Sequence, residues 1–512
     1  MTGRGISLRD PHRTGTVNSS VLLAAASVVV ATSLLWWLFA KRSTEHASEL
    51  HVYCAAGVLK AVEPGAASYE KEFGVKIRLD PASSGALLAK LQIAPKADLY
   101  IPADDSFIRL AHSKDLIRED LPLARFRLCL AVAKGNPKGI RSLSDLIESP
   151  DVTYSLPNDQ AAAGVKAKDF LEPHGLHDAV VNGAKVRKPT VTEVAQDVQT
   201  GSVDAGFVWT STAKHFGLDL VAIPELEDAW GTISAAVVST SKRPTEALRF
   251  ARYLAAPEKG QVNFEAHNYV AARGDAWAVK PTLLLYSGGV NRPAVEATLR
   301  EFQEREGVSI NTDYKGCGSL VAQMKSGTLP DAYFACDVSF STEVADLFEE
   351  FRDVSRMRLV LIVPPGNPAG IRGFDDLARK GLKIGRAHEE LSALGFLTKR
   401  LLEKAGTYDA VAANTRAIGP TAAELVSQVV LGGHLDVAIV YEANAFSSVQ
   451  RGEAEIIPIN DPDAIAIQPI AARKDTKYPQ LMRRLLESIY SQRSRTRFEE
   501  AGFQWLADGD EP

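Results

Sequence analysis

The chain carries one long stretch twice. From His51 it reads HVYCAAGVLKAVEPGAASYEKEFGVKIRLDPASSGALLAKL and runs on to ADLYIPADDSF; from Leu284 it reads LLYSGGVNRPAVEATLREFQEREGVSINTDYKGCGSLVAQM and runs on to PDAYFACDVSF. At a spacing of 233 residues, Tyr53 pairs with Tyr286, Gly74 with Gly307, Gly85 with Gly318, Asp98 with Asp331, Asp104 with Asp337 and Phe107 with Phe340. After small shifts RFRLCLAVAKGNPKGIRSLSDL meets RMRLVLIVPPGNPAGIRGFDDL, GSVDAGFVW meets GHLDVAIVY, and FEAHNY meets FEEAGF. A repeat of about 220 residues is too long for a solenoid unit and large enough for a complete domain. The 512 residues exceed what one hydrophobic core sustains. Two domains follow, 50–279 and 282–507, meeting at Lys280 and Pro281.

Within a copy the pattern is α/β. LHVYCAAG is a short apolar strand ending in small residues, VLKAVEPGAASYEKEFG has helical spacing and stops at Gly74, VKIRLDPASSG is a second strand and turn, and ALLAKLQI opens another helix. Strand and helix in alternation imply a parallel sheet with helices on its faces, and such sheets bind ligands beyond the carboxyl ends of their strands. The small residues gather there. In copy 1 they are Cys54, Ala55 and Gly57 after the first strand and Ser83, Ser84 and Gly85 after the second. In copy 2 they are Ser287, Gly288 and Gly289, then Gly316 to Ser319. Backbone N–H groups at helix starts, unpaired within the helix and aided by its dipole, suit an anion, and small side chains let it approach the backbone. Asp104 and Asp337 are expected to cap the helices that follow them, and Asp204 and Asp436 to sit in turns.

Charge and cysteine content narrow the class. The 58 basic and 63 acidic residues are spread along the chain and net −5, so no basic stripe invites nucleic acid. Cys54, Cys129, Cys317 and Cys336 lack metal-ligand spacing and read as buried small apolar residues, with a Cys317–Cys336 bridge left open. No nucleophile elbow, zinc-protease helix or phosphate loop is present, which argues against an enzyme.

Residues 20–40 read SVLLAAASVVVATSLLWWLFA, 21 residues without a charge, the length of a membrane-spanning helix. Trp36, Trp37 and Phe39 close it as interfacial anchors do. The reading is an uncleaved signal anchor, with a cleaved signal as the alternative. Residues 1–19 form a cytoplasmic tail, 41–49 a linker, and both domains are exported to the extracytoplasmic, periplasmic side.

Each copy resembles the molybdate-binding proteins of ABC importers, within the type II periplasmic binding-protein superfamily. VYCAAGVLKAV, SSGAL with KADLYIPADDSF, KGNPKGI with SLSDL, AAAGVKAKDFL and VTEVAQDVQTGSVDAGFVW carry the resemblance. It implies two α/β lobes per copy with a ligand cleft between them. It also implies an oxyanion held without metal or cofactor by hydroxyls and backbone N–H groups, and permease and ATPase partners. By position the site comprises Gly57, Ser84, Ala163, Val191 and Trp209 in copy 1, and Val290, Cys317, Leu394, Ala422 and Tyr441 in copy 2. The family has a hydroxyl residue where Gly57 and Val290 stand and Tyr where Trp209 stands, so nearby Ser83, Ser287 and Ser319 are expected to compensate. Molybdate leads tungstate, sulfate-like anions and small organic anions as the ligand. A membrane-tethered sensor or scaffold is the other reading. Iron(III) capture, which needs clustered Tyr with His or carboxylates, is a minor one.

Overall fold

A computed structural model describes residues 2–3, 49–419, 421–430 and 434–507. The anchor expected at 20–40 lies outside the described residues. Among the described residues no helix is long and apolar enough to cross a membrane.

In copy 1 the elements that position the site are β1 (Glu49–Ala55), α1 (Leu59–Phe73), β2 (Lys76–Ala82), α2 (Ser84–Ile93), β3 (Leu99–Ile101), α3 (Asp105–His112), β4 (Ile117–Val132), β5 (Tyr154–Pro157), α4 (Ala162–Leu171), β6 (Val186–Lys188), α5 (Val191–Gln199), β7 (Ala205–Trp209), β8 (Trp230–Val238) and α6 (Pro244–Ala255). The strands pair in the order β2-β1-β3-β8-β4-β7-β5-β6. β4 divides the copy into two lobes: its start pairs with β8 over Ile117–Arg127, and its end pairs with β7 over Leu128–Val132. Its burial follows suit. Polar and apolar residues are mixed in the first part, whereas Leu128–Val132 is buried without a break, as a strand covered on both faces must be.

Copy 2 repeats the plan with β9 (Thr282–Gly288), α7 (Arg292–Glu306), β10 (Ser309–Lys315), α8 (Cys317–Lys325), β11 (Ala332–Phe334), β12 (Arg352–Val363), β13 (Ile384–Ala387), α9 (Ala393–Lys404), β14 (Thr415–Gly419), α10 (Ala422–Val430), β15 (Val437–Tyr441), β16 (Ile465–Ala472) and α11 (Pro479–Ile489). The order β10-β9-β11-β16-β12-β15-β13-β14 matches copy 1 strand for strand. The repeated residues do the same work in both copies. Gly74 and Gly307 end α1 and α7 at φ 68° and 67°, a left-handed cap that a side chain would strain. Asp98 and Asp331 accept the N–H groups of His51 and Leu284, fixing each first strand to the one beside it. Asp104 and Asp337 cap their helices through Ser106 N and Ser339 N. Asp204 and Asp436 accept the N–H groups of Thr153 and Lys383 in turns.

Each copy has its own hydrophobic core, and the copies are joined through their first lobes. Glu306 at the end of α7 is buried and bonded to Arg252 of α6 (3.0 Å) and to Arg484 of α11 (2.6 Å). Asp275, also buried, accepts the N–H groups of Gln480 and Leu481 at the start of α11. Arg305 pairs with Glu119 through two bonds of 2.7 and 2.9 Å. Arg273, near the end of copy 1, donates to the Lys474 carbonyl, and Gln480 donates to the Pro122 carbonyl.

Candidate functional site

The carboxyl ends of the copy 1 strands enclose a small cleft cavity between the lobes. The first lobe contributes Ala55, Ala56, Gly57, Ala82, Ser83, Ser84 and Ala103, and the second Ala161, Ala162, Ala163, Pro189, Thr190, Val191 and Trp209. Its volume is ≈ 20 Å³, above the roughly 10 to 15 Å³ one water needs, so it suits only a small occupant. None of the lining side chains is ionisable. The field in the cavity is set by backbone dipoles: α2 opens at Ser84, α4 at Ala162 and α5 at Val191, each residue lining the wall. Three helix starts facing one space favour negative charge.

The hydroxyls are arranged to donate. Ser83 Oγ accepts the Ala86 N–H and Ser84 Oγ accepts the Ala103 N–H (3.1 Å), which leaves each O–H proton for another acceptor. Thr190 differs, because its hydroxyl is engaged with Glu193 in a capping box that fixes the start of α5. Tyr269 donates to the Gly57 carbonyl at 2.7 Å and holds the β1–α1 loop. Trp209 is stacked on Phe126, ring centroids 4.0 Å apart, and walls the cavity with its flat side chain. The lobes already touch. The Gly85 N–H donates to the Gln160 carbonyl at 2.9 Å, and a Cβ on Gly57 would stand 3.2 Å from Val191 Cγ2.

Of the copy 1 residues expected from sequence, Ala55, Gly57, Ser83, Ser84, Ala163, Val191 and Trp209 line this cavity. Cys54 does not. It is fully buried in the first-lobe core, and burial pushes its thiol far above the ordinary range. Alternation along β1 explains the error, since neighbours on a strand face opposite ways. Cys129 is likewise a buried free thiol, pushed up to about 12 by burial. Ala56, Ala82, Ala103, the Ala161–Ala162 pair, Pro189 and Thr190 also line it and were missed; the T-x-x-E capping box at Thr190–Glu193 was a readable signal.

In copy 2 the small lining residues are replaced. Val290 stands for Gly57 and Leu394 for Ala163, both buried. Cys317, where copy 1 has Ser84, forms a disulfide with Cys336, where copy 1 has Ala103. This bridge corrects the reading of those two cysteines as plain apolar residues, and it leaves Cys317 no thiol proton to donate. Ser287 is buried and donates to the Gly288 carbonyl, Gly288 packs against Cys336, and Ser319 lies half-buried in the first turn of α8. Ala422 begins α10 and Tyr441 ends β15, both buried. A wider surface cavity of ≈ 510 Å³ in this copy, bordered by Phe340, Glu343, Glu389, Glu390, Phe396, Lys399, Arg400 and Glu403, is lined by none of the eight residues expected from sequence. The Tyr441 hydroxyl is buried without a hydrogen-bond partner. A buried donor left unmet costs about 1 to 3 kcal/mol, so Tyr441→Phe is expected to leave the ligand-free melting temperature unchanged or raise it. A drop of several degrees in calorimetry would show the hydroxyl to be satisfied in solution.

The sequence model of the bacterial extracellular solute-binding protein family matches residues 50–267 and again 283–504. The chain belongs to that family, in two tandem copies. Its relatives include a putative ABC transporter substrate-binding lipoprotein, YvgL, of Bacillus subtilis, 29% identical over 233 residues that make up 44% of this chain and 88% of the relative. The molybdate-binding protein ModA of Mycobacterium bovis is 25% identical over 207 residues, 38% of this chain and 74% of that protein. The aconitate isomerase of a Pseudomonas species is 25% identical over 225 residues, 42% of this chain and 86% of the enzyme. Each relative spans one solute-binding copy, so the doubling is a property of this chain that these three do not share at full length.

Proposed function

We propose that the protein is an extracytoplasmic solute-binding protein that captures a small oxyanion in copy 1, molybdate or tungstate first, for an ABC-type importer. The observation that carries the reading is a cavity without an ionisable lining side chain, faced by three helix starts and by two serine hydroxyls free to donate. Such a site offers hydroxyl donors and no anionic group, which suits a fully deprotonated dianion. Iron(III) would find no anionic ligand on these walls. No acid, base or activated nucleophile lines them either, which supports binding over catalysis despite the isomerase among the relatives. The resemblance to ModA supports molybdate in particular. The Cys317–Cys336 bridge supports an oxidising, extracytoplasmic compartment.

The test is titration of the purified protein with molybdate, tungstate, sulfate and phosphate, following Trp fluorescence and melting temperature. Trp209 in the cavity wall supplies the optical signal. Ligand at 100 times its dissociation constant stabilises copy 1 by about 2.7 kcal/mol. No response to any oxyanion overturns the reading. Ser84→Ala removes a hydroxyl that donates to a charged ligand and is expected to weaken binding by about 1.5 to 3 kcal/mol, roughly ten- to a hundredfold. Adjacent genes for an importer permease and ATPase would favour import, and a sensor-kinase neighbour would favour the membrane-tethered sensor.

A further inference from the structure

Copy 1 has one buried lysine at its cleft. Lys166 lies on α4, three residues past cavity-lining Ala163, and is 6% exposed. Its Nζ is 3.0 Å from Asp104 Oδ2, and Asp104 is fully buried. Asp104 follows β3 in the first lobe and Lys166 belongs to the second, so the pair bridges the cleft. A second contact, 3.7 Å to Asp105 Oδ1, joins it. Asp104 divides its oxygens: Oδ1 caps α3 through the Ser106 N–H, and Oδ2 faces the lysine.

Asp104 stands directly behind the cavity wall. Its neighbour Ala103 lines the cavity and is held by Ser84, and a Cβ on Gly231 would lie 2.9 Å from Asp104 Oδ2 and 3.2 Å from the Trp209 ring. A buried carboxylate here opposes any anion in the cavity, because in a poorly solvated interior like charges repel strongly. Burial raises the Asp104 carboxyl to about 6, and Lys166 beside it works against that rise. Copy 2 handles the same aspartate differently. Asp337 receives backbone N–H groups from Ser339 and Ile467, and the position of Lys166 is taken by Leu397.

We propose that Lys166 makes copy 1 selective for an anion: it neutralises Asp104 behind the binding wall and ties α4 to the first lobe when the cleft closes. This rests on the oxyanion reading of copy 1 and adds to it a positioning residue that does not touch the ligand. The experiment is a molybdate titration of the full chain and of Lys166→Met, Lys166→Arg and the Lys166→Met/Asp104→Asn double variant, each checked for folding by circular dichroism. Lys166→Met is expected to weaken binding at least tenfold, Lys166→Arg to stay within about threefold of wild type, and the double variant to recover most of the loss. Recovery is the decisive outcome, since a purely packing role for the lysine would not be rescued by removing a charge elsewhere. The inference is overturned if wild type binds and Lys166→Met binds equally well, or if the double variant remains as weak as the single one. A wild type that binds no oxyanion overturns the oxyanion reading itself, and this inference with it.

Discussion

Glu306→Gln is expected to lower the stability of the whole chain by about 3 to 5 kcal/mol and to split one calorimetric unfolding transition into two. Glu306 is 1% exposed and shared between Arg252 of copy 1 and Arg484 of copy 2, each 3% exposed. Removing the carboxylate leaves two guanidinium groups facing each other in a dry interface, and an uncompensated buried charge costs about that much. The splitting follows because this triad, with Asp275 of copy 1 capping α11, is the centre of the junction between two separate cores. Burial opposes the charge on Glu306, but the two arginines prevail and hold its carboxyl below the ordinary 4.5. With a depressed value in the folded state, its stabilisation is present above pH 4.5 and is lost as pH falls through the folded value. Wild type should therefore approach the variant's two-step melting in acid. A single transition of unchanged midpoint in the variant would show that the triad does not couple the copies.

Ala162→Asp is expected to abolish oxyanion binding, by at least a hundredfold, while leaving the protein folded. Ala162 is the first residue of α4 and lines the cavity. A carboxylate at a helix start gains about 0.3 to 1 kcal/mol from the dipole, which offsets part of the cost of placing it at this buried position. The same dipole is what the ligand would use. An added negative charge about 4 Å from a bound anion costs on the order of 4 kcal/mol at an effective dielectric of 20, about a thousandfold. Isothermal titration beside a thermal melt separates the two effects. Retained binding would place the anion elsewhere in the protein.

Much of this was legible in the sequence because the repeat supplied its own control. A residue recurring at 233-residue spacing is doing backbone work, as Asp98 with Asp331 and Gly74 with Gly307 do, and the residues that break the match mark where the copies differ in chemistry. The small residues of the first lobe, Ala55, Gly57, Ser83 and Ser84, were read from small side chains after apolar strands, whereas Ala163, Val191 and Trp209 came only with the family resemblance. What stayed hidden depends on distance in space. Cys317 opens α8 and Cys336 follows β11, 19 residues further on, and nothing local shows that the two points converge, which is why the bridge stayed open. Lys166 and Asp104 lie in different lobes, so their pairing has no periodicity to betray it. Cys54 was misplaced for a simpler reason, since a turn motif read as a unit ignores which way each strand residue faces.

The junction between the copies has a consequence for any membrane partner. With the first lobes joined by the buried Arg252–Glu306 pair and the half-buried Arg305–Glu119 pair, the placement of one copy relative to the other does not depend on how far a flexible tether wanders. The gain from linking two binding modules falls off when a linker is floppy and vanishes when it cannot reach. A rigid junction replaces that gradual dependence with a geometric yes or no. When one copy is seated on a receptor, the other is delivered to a single fixed place beside it, and the receptor's own spacing decides whether that place is a second contact or empty solvent.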